Sequence, residues 1–380
     1  MSTGKIRLCI VSPSESGGGA EYQTSLLIDA LRRTGRTDIY YLARHLDGIA
    51  RPDAYRVVRI GRSGRAPTLG YVTDVLPLYA ALRRIDPQVI YQRVACGYTG
   101  ICALYARRHR ARLIWHAASD ADLTHESLDG GRNFVRRRLE KWSVALGIRL
   151  AGCIVVQHRR QVELLWRNYG RRADELVAEF QPEASEQIDK SGTPTVAWIA
   201  NLKQLKRPEL FVRLARALQD LKGVEFVMIG QEPPHPQPWS VALMRDIAQT
   251  PNLRFLGQRS HAEVHALLAR ACVCVNTSTH EGFPNTFIEA WLRDAVVVSL
   301  DVDPDGVLQR EGVGIHAGSE EQLQSAVRAL VLDPAARAGY VERARRYVRA
   351  KHSLRNADQL VRLIESGSPG GQPAFSTDVG

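Results

Sequence analysis

The amino-acid sequence predicts an α/β protein made of two doubly wound domains that face each other across a cleft. Predicted strands alternate with predicted helices along both halves of the chain, and this alternation is typical of parallel sheets. A polar segment containing Pro, Gly and Ser, residues 181–195, separates the two series. Ligands of such folds bind at the carboxyl ends of the strands, so we expect the site in the cleft.

The first half begins with a strand, a glycine loop and a helix. The apolar run 5–12 precedes the glycines at 17–19, and Leu27 and Leu31 then recur at helical spacing before Gly35. The pattern continues through four further predicted strands and three further helices. These are the strands 38–44, 88–93, 111–117 and 152–157, and the helices 71–85, 97–109 and 133–151.

The second half repeats the alternation with five predicted strands and six predicted helices. They are the strands 195–200, 224–230, 253–257, 273–278 and 295–300, and the helices 208–221, 239–249, 261–271, 284–294, 320–332 and 335–350. We expect an N-terminal domain over 1–182, a linker over 183–194 and a C-terminal domain over 195–366, whose last helix can pack back on the first domain. The tail 367–380 has no periodicity, which predicts disorder.

Composition excludes several classes of protein. The chain has 380 residues, 44% of them hydrophobic and 24% charged, as in soluble globular proteins and unlike collagen, disordered chains or disulfide scaffolds. No apolar run reaches the roughly 18 residues of a membrane span, and the apolar stretch near the N-terminus is too short for a signal peptide. Six cysteines without a C-x-x-C pair indicate a reduced, cytosolic protein with buried thiols.

The net charge of +11 is concentrated in the first half of the chain. Residues 1–180 hold 29 basic and 17 acidic side chains, and residues 181–380 hold 22 and 23. This asymmetry indicates an anionic partner for the first half, a membrane surface or a nucleic acid, and the alternative is a solvated charged face. No aromatic–basic motif, helix-turn-helix or finger favours nucleic acid, so none is expected as a partner.

The segment from Glu281 to Glu289 carries the strongest indication of chemistry. It follows a predicted strand and opens a predicted helix, where unpaired backbone amides and the helix dipole favour an anion. Because Pro284 has no N–H, the candidate donors are the amides of Phe283, Asn285 and Thr286. The flanking carboxylates of Glu281 and Glu289 can accept hydrogen bonds from sugar hydroxyls. One short segment therefore matches the needs of a nucleotide-diphosphate sugar.

This segment resembles the E-x7-E motif of retaining glycosyltransferases of the GT-B fold, family 4 in particular. Three other segments agree in order: 17–21 resembles the N-terminal glycine loop of that family, 198–208 its phosphate-binding loop, and 252–257 its base-binding strand. The resemblance covers about residues 5–350. It implies two Rossmann-like domains and a metal-independent hexosyltransferase without a cofactor, whose donor is a UDP-, GDP- or similar nucleotide sugar.

The resemblance also assigns roles to basic residues after the strand 195–200. Lys206 aligns with the family lysine that stabilises negative charge on the leaving phosphate, and its alternative is a solvated loop lysine. The family arginine five residues earlier is Asn201 here, a departure for which Lys203 or Arg207 is the candidate replacement. The basic clamp around the donor diphosphate is therefore only partly assigned.

Acidic residues and glycines account for the remaining donor contacts that the resemblance implies. Glu289 resembles the family residue that binds the ribose hydroxyls, unless it is an exposed helical Glu, and Glu281 resembles the one that faces the donor sugar. Gly257 and Gln258 match positions that bind the base through backbone groups. The loop glycines Gly17, Gly18 and Gly19 permit close approach to the diphosphate.

His116 ends the predicted strand 111–117. It aligns with a family histidine that contacts the donor sugar near the reacting carbon, and the alternative is a structural histidine. Asp120-Ala121-Asp122 looks like a metal-binding D-x-D motif, but a loop cap is the better interpretation in this fold. The run 301–305 lacks the spacing of a calcium loop, and no His/Cys cluster has zinc spacing. We therefore expect no metal.

The predicted helix 133–151 is amphipathic and basic. Its apolar residues recur at helical spacing and are Val135, Leu139, Trp142, Leu146 and Leu150. Basic residues crowd its N-terminal half and are Arg132, Arg136, Arg137, Arg138 and Lys141. Such a helix can lie on an anionic membrane, and members of the family that the chain resembles use lipid-linked acceptors. The alternative is a stripe that faces the core, with a solvated back.

Together, these observations predict a retaining glycosyltransferase that moves a hexosyl unit from a nucleotide-diphosphate sugar to an acceptor hydroxyl, in polysaccharide, glycolipid or glycoconjugate biosynthesis. We expect the C-terminal half to bind the donor and the N-terminal half to take the acceptor, with a lipid-linked saccharide as one candidate. A cytoplasmic protein with peripheral contact to the inner membrane face is expected. Three alternatives stay open: a sugar-nucleotide epimerase of the same shape, a non-catalytic sugar-nucleotide-binding protein, and a nucleic-acid-binding protein.

Overall fold

The computed structural model describes residues 4–14, 18–46, 53–61, 73–124, 134–233 and 235–366. The chain divides into two compact units, residues 1–180 together with 354–380, and residues 181–353. Gly17, Arg132, the tail 367–380, and the side chains of residues 134–136 lie outside the description. No described helix is long and apolar enough to cross a membrane.

The first unit contains a seven-stranded sheet with helices between the strands. Its elements are β1 (Ile6–Ser14), α1 (Gly19–Thr34), β2 (Thr37–His45), β3 (Arg56–Arg59), α2 (Val75–Ile85), β4 (Val89–Arg93), α3 (Tyr98–His109), β5 (Arg112–His116), α4 (Ala121–Thr124), α5 (Phe134–Leu150), β6 (Cys153–Val156), α6 (Arg159–Tyr169) and β7 (Glu175–Leu176). The strands pair in the order β3-β2-β1-β4-β5-β6-β7, and all pairs are parallel.

The first-unit sheet is buried on both faces, which explains why its central strands are apolar throughout. In β1, Leu8 packs with Leu27 and Leu31 of α1, whereas Cys9 faces the opposite cluster, with Cys102 of α3. Successive side chains of a strand point to opposite faces, so a parallel sheet covered by helices needs apolar residues at nearly every position. All six cysteines of the chain are buried and unpaired, as expected.

The second unit contains a six-stranded sheet built in the same way. Its elements are β8 (Thr195–Ile199), a 3₁₀ turn (Gln204–Lys206), α7 (Pro208–Ala217), β9 (Glu225–Ile229), α8 (Pro238–Ala248), β10 (Leu253–Phe255), α9 (His261–Arg270), β11 (Ala271–Asn276), α10 (Asn285–Trp291), β12 (Val296–Ser299), a 3₁₀ turn (Pro304–Gly306), α11 (Val307–Arg310), β13 (Gly314–His316), α12 (Glu320–Leu332) and α13 (Pro334–Lys351). The parallel strand order is β10-β9-β8-β11-β12-β13.

The strand order places a switch point in each sheet. In each sheet, the chain first adds two strands on one side of the first strand, β1 or β8. It then returns and continues on the other side, where β4 pairs with β1 and β11 pairs with β8. Crossovers on the two sides of such a point leave a crevice outside the carboxyl ends of the two strands, which is where doubly wound folds bind ligands. The loops after β8 and β11 therefore lie where a ligand site of the second unit is expected.

The last helix belongs to the first unit although it follows the second in sequence. α14 (Arg355–Glu365) buries Ala357, Leu360 and Ile364 in the cluster that contains Leu27 of α1. Arg112 of β5 donates a hydrogen bond of 2.7 Å to the carbonyl of Leu363. The polar segment 181–194 is part of the second unit.

Helix α5 packs on the core through Val144 and Ile148, with Leu150 of the predicted stripe beside them, and it approaches α3 closely at a glycine. A Cβ placed on Gly147 would lie 2.5 Å from the carbonyl carbon of Thr99, so the glycine permits a close helix–helix approach. Leu139 is 48% exposed and Trp142 is 63% exposed. The core-facing interpretation is therefore wrong for these two side chains, which lie in solvent near the basic residues of the helix.

Candidate active site

Lys206 and Glu281 lie together at the switch point of the second sheet. Lys206 ends the 3₁₀ turn that follows β8, and Glu281 lies in the loop between β11 and α10. Lys206 Nζ forms an ion pair with Glu281 Oε1, and the side chains are only 19% and 17% exposed. Ser278 Oγ donates a hydrogen bond of 2.8 Å to the same carboxylate oxygen. Two of the predicted catalytic residues are thus in direct contact.

Thr277 and Thr279 join the two loops that carry this ion pair. Thr277 Oγ1 accepts a hydrogen bond of 2.9 Å from Trp198 Nε1 and lies 2.7 Å from the carbonyl oxygen of Lys206, to which it can donate. The amide of Thr279 donates to the carbonyl of Leu205 at 2.9 Å. Because these bonds join the two loops without using either charged group, the position of Lys206 relative to Glu281 does not depend on the ion pair alone.

Arg207 is bound by the protein itself. Its Nε donates to the carbonyl of Thr277 at 2.7 Å, its Nη2 donates to that of Ser278 at 3.3 Å, and the guanidinium pairs with Asp301. Its backbone has φ +46°, in the left-handed region. The guanidinium therefore connects the loops after β8, β11 and β12.

The other two candidates for the basic clamp are arranged differently. Lys203 is exposed and forms no ion pair with any residue that the structure describes. Asn201 Oδ1 accepts a hydrogen bond of 3.4 Å from the amide of Gln231. Of the four residues around this loop, Lys206 is the one whose charged group meets Glu281 in a partly buried position.

Glu289 is buried on α10 and faces two histidines of α9. Its side chain is 4% exposed, and its Oε1 lies 3.7 Å from His261 Nδ1 and 3.6 Å from His265 Nε2. Burial, the largest influence, raises the pKa of Glu289, but the two imidazoles lower it by more, so the net shift is downward. The interpretation of Glu289 as an exposed helical residue is therefore wrong.

The first turn of α10 is shaped by an aromatic cluster. The Phe283 ring packs against His352 and Trp291, with ring centroids 4.5 and 6.1 Å away. Asn285 and Thr286, the first two helical residues, are half-buried. These are the positions at which the sequence predicts amide donors for an anion.

The predicted base-binding loop follows β10. Gly257 has φ +69°, and a Cβ there would meet nothing within 4 Å, so its glycine serves the backbone conformation and not packing. The carbonyl of Gly257 accepts a hydrogen bond of 3.0 Å from the amide of Gly230 at the end of β9. The next residue, Gln258, is exposed.

In the first unit, Gly18 and Gly19 are exposed at the beginning of α1. Gly18 is the N-cap residue, with φ −147°, and has no side chain to satisfy the first-turn amides. A Cβ on Gly18 would lie 2.6 Å from Glu21 Oε2, so the carboxylate of Glu21 lies against the start of the helix.

His116 is buried at the end of β5. Its Nδ1 lies 2.8 Å from the hydroxyl of Tyr91, and its Nε2 has no hydrogen-bond partner within the part of the chain that the structure describes. Burial, and then the positive charge of Arg93, lower the pKa of His116 well below its ordinary value. The imidazole is therefore neutral at physiological pH.

The two acidic motifs that imitate metal sites have structural roles. Asp122 accepts hydrogen bonds from the amides of Ala95, Ala118 and Ser119 at 3.1, 2.8 and 3.1 Å, which confirms the loop-cap interpretation. Asp303 Oδ1 accepts a hydrogen bond of 2.7 Å from the amide of Leu308 and so stabilises the turn before α11.

Sequence reasoning missed the side chains that surround Glu289. Glu186 Oε1 lies 3.3 Å from His265 Nδ1, and Glu186 Oε2 forms an ion pair of 2.9 Å with Arg293. His261 and His265 are four residues apart on α9, so their shared face could be read from the sequence. The contributions of Glu186 and Glu289 could not, because they come from segments that only the tertiary structure brings together.

Comparison with known proteins agrees with this architecture. Residues 193–333 match the profile of the family described as Glycosyl transferases group 1. Sucrose-phosphate synthase from Thermosynechococcus elongatus is 17% identical, with a TM-score of 0.75 over 95% of this chain and 99% of that one. HepE from Anabaena, in complex with UDP and glucose, is also 17% identical, with a TM-score of 0.76 over 96% and 100%.

A third solved structure, WaaG, a glycosyltransferase involved in lipopolysaccharide biosynthesis, is 13% identical, with a TM-score of 0.75 over 94% of this chain and 99% of that one. At these identities, the likeness shows a shared fold. The predicted two-domain α/β fold of GT-B type and the resemblance to group 1 glycosyltransferases are confirmed.

Proposed function

We propose that this chain, whose residues 193–333 match the family model described as Glycosyl transferases group 1, moves a hexosyl unit from a nucleotide-diphosphate sugar to an acceptor hydroxyl with retention at the anomeric carbon. The observation that carries the proposal is the contact between Lys206 and Glu281. It places a cation and a carboxylate, each about four-fifths buried, outside the carboxyl ends of β8 and β11, where doubly wound folds bind ligands.

Lys206 stabilises the leaving diphosphate in this proposal. Cleavage of the bond between the sugar C1 and the phosphate oxygen leaves negative charge on that oxygen, and a fixed ammonium lowers the energy of this charge most in a site with little water. When donor binds, Lys206 Nζ turns from the Glu281 carboxylate to the phosphate. Glu281 then faces the hydroxyls of the donor sugar.

The acceptor attacks C1 from the side of the departing phosphate. The new bond joins the acceptor oxygen to C1, the electrons of the broken bond stay on the phosphate oxygen, and that oxygen receives the proton of the acceptor hydroxyl. No protein nucleophile and no metal is needed for this step. His116, buried and neutral, is the proposed contact to the donor sugar in the first unit.

The other donor contacts divide by chemistry. Glu289 binds ribose hydroxyls, backbone groups of Gly257 and Gln258 bind the base, and Arg207 positions the loop that presents Lys206. The diphosphate is bound by backbone amides of the glycine loop and of the segment that begins α10. These are the amides of Gly17, Gly18, Gly19, Phe283, Asn285 and Thr286, with Asn201 and Lys203 at the edge of the phosphate loop.

We infer that the first unit approaches an anionic membrane that carries a lipid-linked acceptor, which places the reaction in polysaccharide, glycolipid or glycoconjugate biosynthesis. The support is the exposure of Leu139 and Trp142 on α5, beside Arg138. Exposed aromatic and aliphatic side chains among arginines are the composition of a helix that lies in a membrane interface. The excess positive charge of residues 1–180 adds attraction to anionic lipid.

A thermal-shift panel of nucleotide sugars, followed by a transfer assay with the donor that stabilises the protein, tests the function. A ligand at 100 times its Kd raises the free energy of unfolding by about 2.7 kcal/mol. A donor that binds and transfers its sugar with retained configuration, observed by NMR of the product, is expected. Isomerisation of the donor without acceptor would indicate an epimerase, and no stabilisation by any nucleotide sugar would refute the proposal.

A further inference from the structure

Glu289 and the two histidines of α9 form a compact set of metal-ligating atoms. One ligand atom from each of His261, His265 and Glu289 lies within 4.8 Å of the other two. They come from two helices, α9 and α10, whose contact is part of the packed second unit. We propose that these three residues bind a divalent transition-metal ion of the zinc class. The site goes beyond the proposed glycosyl transfer, which does not require it.

The distances favour ligands around an ion over direct hydrogen bonds. Glu289 Oε1 lies 3.6 and 3.7 Å from the two imidazole nitrogens, whereas N–H···O hydrogen bonds measure about 2.7–3.2 Å. Two ligand atoms bound tetrahedrally to zinc at about 2.0–2.1 Å are roughly 3.4 Å apart. The two distances from Glu289 are therefore already within a few tenths of an ångström of this separation, and a rotation of the exposed His261 side chain would close the remaining gap between the two imidazoles, whose ligand atoms lie within 4.8 Å.

His265 has the surroundings of a metal ligand on both ring nitrogens. Its Nε2, which faces Glu289, is buried and has no hydrogen-bond partner among the described residues. Its Nδ1 lies 3.3 Å from Glu186, whose carboxylate is held at 2.9 Å by Arg293. A carboxylate that accepts from the second nitrogen orients a ligating imidazole and makes it more basic.

The set also has an entry path and an open position. The His261 side chain is 57% exposed, so the ion can enter from solvent on that side. Three protein ligands of the type His, His, Glu leave a fourth position for water or another small ligand. Both imidazoles face Oε1 of Glu289, so a metal and a ribose hydroxyl can use different oxygens of one carboxylate.

The cysteines do not compete for the ion. Cys272 and Cys274 of the same unit are buried, and burial raises the pKa of both thiols, that of Cys274 to about 12. Metal ligation requires the thiolate. Binding should therefore depend on the histidines and Glu289.

The test is a titration of the tag-free, chelator-treated full chain with Zn²⁺ by calorimetry, and with Co²⁺ by visible absorption, in the absence of nucleotide. We expect one equivalent of Zn²⁺ per chain and a Co²⁺ spectrum of low coordination number. His261→Ala, which removes an exposed side chain, and His265→Ala should each weaken binding more than tenfold. Glu186→Gln should weaken it 10–100-fold, as for loss of an outer-shell carboxylate.

His235→Ala is the matched control, because His235 is an exposed histidine of the same unit outside the set. Its Zn²⁺ affinity should equal that of the unaltered chain. The proposal is overturned if the unaltered chain binds Zn²⁺ no more tightly than His261→Ala, or if His235→Ala loses as much affinity. Because the probe is the metal alone, neither result depends on whether the protein transfers sugar.

Discussion

Replacing Lys206 by alanine should slow glycosyl transfer by roughly 10²–10³-fold, the usual cost of removing one preorganised donor to a developing negative charge. The structure supports this magnitude because Lys206 Nζ is paired with Glu281 at a position only about one-fifth exposed, where water screens charge weakly. The same substitution removes the cation that pairs with Glu281, and the carboxylate keeps only the hydrogen bond of 2.8 Å from the Ser278 hydroxyl among these two contacts. We expect a cost of about 1–3 kcal/mol in stability.

The effect of Lys206→Ala on transfer is separated from its effect on stability by measuring kcat, donor affinity and the thermal unfolding midpoint on the same preparations. Lys222→Ala is the matched control, since Lys222 carries the same charge in the same unit, is exposed and lies outside the candidate site. It should transfer sugar within about threefold of the unaltered enzyme. The reasoning fails if Lys206→Ala retains near-normal kcat, or if Lys222→Ala is slowed as strongly.

Three further predictions test other parts of the structure. Glu289→Gln should weaken nucleotide binding about tenfold or more, and an unchanged Kd for the nucleotide would make Glu289 structural. Trp142→Ser should reduce partition onto anionic vesicles about tenfold, the value of one inserted apolar side chain, whereas Trp166→Ser, which alters a tryptophan on another helix that is 58% exposed, should not. Sedimentation with vesicles measures both variants. Burial lowers the pKa of Lys190 from 10.5 to about 8, so the unfolded chain binds more protons between these values, and stability rises with pH across that window. Relative to Lys190→Met, the unaltered protein should gain up to about 3 kcal/mol from pH 8 to 10.5, and denaturant unfolding that shows no such gain would contradict the assigned burial.

Local periodicity was sufficient for most elements of the fold, and its failures have identifiable causes. The strands β3, β7 and β13 have four, two and three residues, too short to show a period. Helix α6 was missed as well. It buries Gln161 and exposes Trp166, so polarity alone does not show which of its faces packs on the sheet.

The candidate site, like the fold, could be predicted from the sequence only in part. The loops carrying Lys206 and Glu281 were recognisable as segments, whereas the pair His261 and His265 was not predicted, although its four-residue spacing on one helix is visible in the sequence. The burial of Glu289 was not. A residue that stands between Ile288 and Ala290 in a short helix has no local mark of its depth, which is set by how α9 and α10 pack together.

By itself, then, the sequence determined the doubly wound α/β architecture, the order of its elements and the segments that carry the candidate chemistry. These properties depend on residues within one or two turns of each other. Only the tertiary structure decided that Lys206 meets Glu281 across 75 residues, that Glu289 lies buried between two histidines, and that Trp142 points to solvent. These outcomes depend on which strands become neighbours at the switch point and on which helix faces find partners, and no local pattern encodes either one.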